Sequence, residues 1–221
     1  MFYLLISLLG RNIIVLTEFF LRPLSGLCKI DSTWSVELAR HTDQILNEFK
    51  KLTDEDLREF HTISPEQKRI TAGGSWRVFI LFAYGRQFHS HIKACPVTHH
   101  FLKECKQVTS AMFSVLTSNT KISPHRGPYF GVIRCHIPLI VPVGDCGIRV
   151  AGETKYWQYG VPLVFDDTLP HEAWNNTEES RVVLFLDFVR PFPFPLDFLN
   201  RLLIRIIGAS PFIGRMVRGG L

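Results

Sequence analysis

From Phe113 onward the chain breaks into short runs of strand formers separated by glycine and proline, and this punctuation constrains the fold more than any other feature. Residues 131–140, 148–150, 161–165 and 181–188 read as strands bounded by turn residues. The part before them has a different pattern. Across 32–60, Trp34, Leu38, Ile45, Phe49 and Leu52 recur at helical spacing, and Thr53 before Asp54-Glu55-Asp56 resembles a fresh helix start. Residues 76–84 are rich in strand formers. Residues 95–112 read as a loop entering a helix, with Phe101, Leu102, Cys105 and Val108 on one stripe. Helices followed by short strands imply an α+β protein whose strands close into a small barrel or jelly roll.

At 221 residues and 46% hydrophobic, the chain suits one domain with a substantial core. The organisation read from it is an apolar, membrane-associating segment at 1–31, a catalytic-type domain at 32–191, and a Pro/Phe exit with a basic amphipathic tail at 192–221. The charge-free run at 1–10 is short for a bilayer span, and no basic leader precedes it, so a helix lying in the interface or packed on the domain fits better than a cleaved signal. In the tail, Leu196, Leu199, Leu203 and Ile207 recur beside Arg201 and Arg205, which suits a helix at a membrane surface or docked on the domain. The net charge of +5 is scattered without a basic stripe or nucleic-acid motif, so the expected partner is an anionic membrane surface, facing the cytoplasm, and not nucleic acid. Five cysteines without a C-x-x-C pair read as free thiols.

The chemistry-bearing residues concentrate on the strands. His125 lies in Ser123-Pro124-His125-Arg126-Gly127-Pro128, and His171 lies 46 residues later in Phe165-Asp166-Asp167-Thr168-Leu169-Pro170-His171-Glu172. Strand alternation places Arg134 and His136 on one face and Ile133, Cys135 and Ile137 on the other. It likewise groups Arg181, Val183, Phe185 and Asp187. Arginines on otherwise apolar strand faces suggest a lined cavity, since buried charges need partners. Two neutral imidazoles can hold Fe(II), and a buried arginine can grip a dicarboxylate bidentately. His89-Ser90-His91 reads as a surface loop, His99-His100 as a surface helix start, and Trp157 and Trp174 as core or pocket-wall rings.

Phe113-Ser114, His125-Arg126-Gly127-Pro128, Arg134-Cys135-His136, Cys146-Gly147-Ile148-Arg149-Val150, Trp157, Phe165-Asp166-Asp167, His171-Glu172, Trp174-Asn175, Arg181 and Asp187 with Arg190-Pro191 together resemble the aspartyl/asparaginyl β-hydroxylase family. That resemblance implies a double-stranded β-helix core with the N-terminal helices packed outside. It also implies a dioxygenase using Fe(II), 2-oxoglutarate and O2. His125 and His171 would be the iron ligands, and Arg181 with Ser114 would bind the distal carboxylate of 2-oxoglutarate. Arg134 and His136 would face the cosubstrate and the incoming substrate, and Arg149, Trp157 and Trp174 would be pocket candidates. The wider superfamily carries a carboxylate two residues after the first histidine, where this chain has Gly127; Asp167 is then the candidate to order a metal-bound water. For Asp166-Asp167, turn chemistry is the competing reading. The apolar termini favour a membrane-lipid acyl chain as substrate, Gly127 favours a peptidyl Asp or Asn, and an inactive sheet domain used for binding is a third reading.

Overall fold

A computed structural model describes residues 32–65 and 67–218, so the apolar segment expected at 1–31 lies outside the described residues. Helices α1 (Thr33–Ala39) and α2 (Thr42–Phe49) come first, followed by β1 (Arg58–Glu59), the single-turn helices α3 (Phe60–Ile63) and α4 (Gln67–Ile70), and β2 (Thr71–Gly73). Then come β3 (Trp76–Ala83), β4 (Arg86–Gln87), α5 (His89–Ala94) and α6 (Pro96–Glu104). Eight strands follow without interruption: β5 (Val108–Leu116), β6 (Thr120–His125), β7 (Val132–Ile140), β8 (Cys146–Val150), β9 (Glu153–Tyr156), β10 (Leu163–Phe165), β11 (His171–Asn175) and β12 (Arg181–Val189). Helices α7 (Leu196–Gly208) and α8 (Pro211–Arg218) close the described chain.

All strand pairs are antiparallel, and from β5 to β12 the chain passes back and forth between two sheets, save for the β8–β9 hairpin within the smaller one. The larger sheet runs β1-β3-β5-β12-β7-β10, with β4 paired to β3; the smaller runs β2-β6-β11-β8-β9. This winding is a double-stranded β-helix, the expected fold. Period-two alternation decides what each face meets. On the large sheet Ile133, Cys135, Ile137, Val182, Leu184 and Leu186 turn outward and pack against Leu38, Ile45 and Leu102 of the N-terminal helices. The opposite face joins Ile148, Val150 and Ala173 of the small sheet in a second core inside the barrel. Glu48 of α2 ties the outer layer together by accepting the Val97 and Thr98 N–H groups at 2.8 and 2.6 Å. Those N–H groups belong to the first turn of α6, which has no carbonyls of its own to offer them.

Three local expectations give way to tertiary structure. Thr53 does not start a helix: its N–H and hydroxyl both donate to the Asp56 carboxylate, at 2.7 and 2.9 Å, closing a turn. His89-Ser90-His91 forms a helix in place of a loop, and His91 is buried, donating from Nδ1 to the Ile80 carbonyl at 2.7 Å and stacking on Phe79. The helix expected through Val108 ends at Glu104, because Val108 is recruited as the first residue of β5. The thiols of Cys95, Cys105, Cys135 and Cys146 are free, as expected.

Candidate active site

The two motif histidines meet. His125 ends β6 and His171 begins β11; they stand directly opposite in register, with ring centroids 4.1 Å apart. Each ring is oriented by the backbone two residues before it: His125 Nδ1 donates to the Ser123 carbonyl and His171 Nδ1 to the Leu169 carbonyl, both at 2.9 Å. Committing Nδ1–H in this way leaves Nε2 unprotonated on both rings, the form in which an imidazole binds a metal. Burial lowers the pKa of His125, and burial with the neighbouring imidazole brings His171 down to about 4. Both are neutral near pH 7.

Deeper in the barrel, Arg181 is buried with its guanidinium 4.5 Å above the Trp157 ring. One NH group donates to the Ser114 carbonyl at 3.2 Å, whereas Nε has no partner and no carboxylate among the described residues pairs with it. Burial pulls its pKa down to about 10, so it remains a cation at neutral pH. Beside it, Trp157 Nε1 donates to His136 Nδ1 at 3.3 Å, which places the His136 proton on Nε2. That Nε2 is also buried and unpartnered. A lone buried cation next to an orphaned N–H donor matches the needs of a small carboxylate. The Ser114 hydroxyl accepts from Trp76 Nε1 at 2.9 Å, so Ser114 faces this corner through both its carbonyl and its side chain.

Arg134 has the opposite environment. Its Nε and one NH2 grip the Asp187 carboxylate at 2.9 and 3.3 Å, and its other contact is Asp167 at 2.8 Å. Arg134 lines the cavity beside His125 and so remains within reach of what enters it; two carboxylates hold its Nε and one NH2 group, with Phe185 below, while its second NH2 group has no carboxylate partner among the described residues. Asp166 and Asp167 divide the two readings proposed for them. Asp166 Oδ1 accepts from the Thr168 N–H and hydroxyl, as turn chemistry requires, and its other oxygen pairs with Arg190 at 2.6 Å. Asp167 points inward and is buried; burial raises its pKa to about 6 against the opposing pull of Arg134. A Cβ built on Gly127 would overlap the Asp167 carboxylate, and the Gly127 N–H donates to the Asp167 carbonyl at 2.7 Å. Glycine stands at 127 because a carboxylate from another loop already fills that space.

Arg149 and Trp174 are not part of this interior, which corrects their assignment as pocket residues. On β8, Cys146, Ile148 and Val150 face the barrel core, so Arg149 faces out and pairs with Glu172 at 2.8 Å. Trp174, three residues from His171, is on the outer face for the same reason of parity and donates to Asp145 at 2.5 Å. Both line a groove on the outside of the small sheet. Trp157 is the one of the three that lies inside. Beside His125 and Arg134 opens a cavity of about 410 Å³ whose walls include Trp76, Ile80, Met112 and Phe185. Phe60 and Ile63 of α3 and Ile213 and Met216 of α8 also line it, residues that carried no motif and no shared periodicity in the sequence.

Fold and interior together define a double-stranded β-helix protein with a paired-imidazole site, an acid-bound arginine beside it and a second buried arginine that has no carboxylate partner among the described residues. The chain belongs to the aspartyl/asparaginyl β-hydroxylase family, whose model, described as Aspartyl/Asparaginyl beta-hydroxylase, matches residues 39–191. It is 39% identical over 184 residues to the ornithine lipid ester-linked acyl 2-hydroxylase of Rhizobium tropici, covering 81% of this chain and 66% of that one. It is 32% identical over 132 residues to the human aspartyl/asparaginyl beta-hydroxylase, covering 58% of this chain and 17% of the human protein. The chain thus spans less than two thirds of the length of either relative.

Proposed function

We propose that this protein is an Fe(II)- and 2-oxoglutarate-dependent hydroxylase that oxidises an acyl chain. The chemistry of the donors fits these groups: His125 and His171 offer two oriented, unprotonated Nε2 atoms, and Arg181 with His136 offers a cation and an unpartnered N–H to a carboxylate. Bound Fe(II), with O2 and 2-oxoglutarate, supplies the oxidising power that converts a C–H bond to C–OH while the cosubstrate loses CO2 to become succinate.

The chain's own residues do the rest. The Ser123 and Leu169 carbonyls hold the imidazoles in their ligating tautomer. Arg181 binds and orients the distal carboxylate of the cosubstrate over Trp157. Asp167, kept beside the histidine loop by Arg134 and by the absence of a Cβ at Gly127, offers a buried Oδ1 without a partner, suited to accept a hydrogen bond from a metal-bound water. The apolar barrel wall excludes bulk water from this corner.

The observation that carries the substrate reading is the cavity beside His125. Trp76, Ile80, Met112, Phe185, Ile213 and Met216 shape it, and of its two arginines, Arg126 and Arg134, the inner one has its charge balanced by Asp167 and Asp187. Such walls favour methylenes at about 0.8 kcal/mol each. An Asp or Asn side chain gains no such term from this apolar part of the wall. The relatives carry names of both substrate kinds, so the test offers both. Anaerobic binding of Fe(II) and 2-oxoglutarate is measured first, then succinate release and one-oxygen products by mass spectrometry with acyl lipids and with Asp- or Asn-containing peptides. His125→Ala and His171→Ala should each abolish succinate formation while the circular dichroism stays native. Unchanged turnover in either variant sinks the metal assignment, and peptide hydroxylation without lipid hydroxylation replaces the acyl reading with the peptidyl one.

A further inference from the structure

Helix α7 is docked through a face that carries one buried polar residue. Asn200 is buried beneath it, accepting from the Tyr129 hydroxyl at 2.6 Å and donating to the Gly131 and Arg190 carbonyls at 2.8 and 3.2 Å. Four and eight residues on, Ile204 and Gly208 lie on the same buried face. Gly208 sits against the Tyr84 carbonyl with no room for a Cβ, and its own carbonyl accepts from Arg86 Nε at 3.1 Å. These ties at both ends fix the rotation of the helix. The opposite face is therefore held in solvent although it is apolar: Phe198 is 60% exposed, Leu199 48%, Leu202 41% and Ile206 54%, with Phe194 just before the helix at 87%. Phe198, Leu202 and Ile206 recur every four residues and form a continuous ridge. Helix α7 has apolar residues on both faces, a pattern that calls for a second apolar partner.

The same region borders the cavity beside His125. Tyr129 follows the His125-Arg126-Gly127-Pro128 loop directly, Tyr84 lines the cavity, and α8 continues from α7 to put Ile213 and Met216 in its wall. Cations surround the opening. Arg126 lines it and is exposed, and Lys68 and Arg69 are exposed immediately after the lining residue Gln67. Arg205 is exposed on α7 itself. None of these four pairs with a carboxylate among the described residues.

We infer that the Phe194–Phe198–Leu202–Ile206 ridge inserts into the surface of an anionic bilayer, with the surrounding cations against the headgroups and the cavity opening towards the lipid. Apolar insertion and attraction of cations to an anionic surface act together in such binding. Charge chooses this occupant over a second copy of the chain, which would bring an identical cationic rim up against the first. The inference deepens the acyl-chain reading and gives it a route for substrate, but the binding itself requires no catalysis.

The 221-residue chain is mixed with phosphatidylcholine vesicles with and without phosphatidylglycerol, and binding is read by co-sedimentation. Succinate release on a short-chain acyl substrate in solution is read separately. F198Q/L202Q/I206Q keeps good helix formers at exposed positions and should weaken binding to anionic vesicles at least tenfold, leaving the solution activity unchanged. K68Q/R69Q should weaken binding several-fold on anionic vesicles and leave any binding to phosphatidylcholine alone as it was. A wild-type protein that ignores anionic vesicles overturns the inference, as does an F198Q/L202Q/I206Q variant that binds like wild type. A dimer that dissociates in that variant overturns it too, assigning the ridge to a second copy. If the ridge governs vesicle binding but no acyl chain is hydroxylated, the docking surface stands and the substrate reading falls.

Discussion

The two ends of the barrel interior each contain an arginine, and the contrast between them shows how a binding group differs from a structural one. Arg134 and Arg181 both project inward, from the neighbouring strands β7 and β12. Arg134 meets two buried carboxylates, which outweigh the downward pull of burial and raise its pKa. Arg181 meets none among the described residues, and burial lowers its pKa to about 10. One guanidinium has its charge balanced as folded. The other is held desolvated beside an aromatic ring and a backbone carbonyl, and gains its missing partner only from a ligand. Residue type and strand position are alike; the difference is whether the fold supplies an anion.

Removing each cation should break this contrast in opposite ways, and the largest effect belongs to Arg134. Arg134→Met strands Asp167 and Asp187 in the interior and should destabilise the fold by about 3–5 kcal/mol in chemical denaturation at pH 7.5. The loss should shrink in acid. Asp167 titrates at about 6 in the fold against an ordinary 3.8, so its raised pKa favours the folded state below 3.8 and that benefit fades as pH rises through 6. A stability loss that does not vary between pH 4 and 7.5 would contradict the buried-carboxylate account.

A smaller effect tests the paired imidazoles. His171 titrates at about 4 in the fold against 6.5 unfolded. The metal-free protein should therefore lose stability as pH falls from 6.5 to 4, by up to about 3 kcal/mol from this group. His171→Gln should flatten that part of the pH profile; an identical profile would place the acid sensitivity elsewhere.

Arg181→Met should leave stability unchanged or raised, since an unpartnered buried cation is lost, yet raise the KM for 2-oxoglutarate about a hundredfold, equivalent to roughly 2.7 kcal/mol. Arg181→Lys should recover only part of it. A normal KM would end the distinction between the two arginines. Smallest of all, Arg149→Ala removes a half-exposed pair with Glu172 on the outer face and should change both stability and activity by less than about 1 kcal/mol. A large fall in activity would return Arg149 to the site.

Much of this was open to sequence reasoning wherever strand parity could be applied. Parity correctly grouped Arg134 with His136 and Arg181 with Asp187. Applied equally to β8 and β11 it would have excluded Arg149, which alternates with Cys146, Ile148 and Val150, and Trp174, an odd number of positions from His171. The Asp166-Asp167 pair was harder. Both residues suit a turn, and only the position of Arg134 on a distant strand separates the one that stays in the turn from the one that turns inward. The walls contributed by α3 and α8 were out of reach, since two short helices far apart in sequence share no pattern that marks a common cavity.

By itself, then, the sequence determined the class of fold, through its alternating strands and turn residues, and the kinds of group available for chemistry, through its two histidine motifs and inward arginines. Those are local properties, set by backbone geometry and side-chain type over a few residues. Tertiary structure decided which arginine is satisfied and which is not, why position 127 must be glycine, and which face of α7 is left apolar in solvent. Each of these depends on whether a particular atom from a remote segment lies within hydrogen-bonding or van der Waals distance, and chain order does not encode that distance.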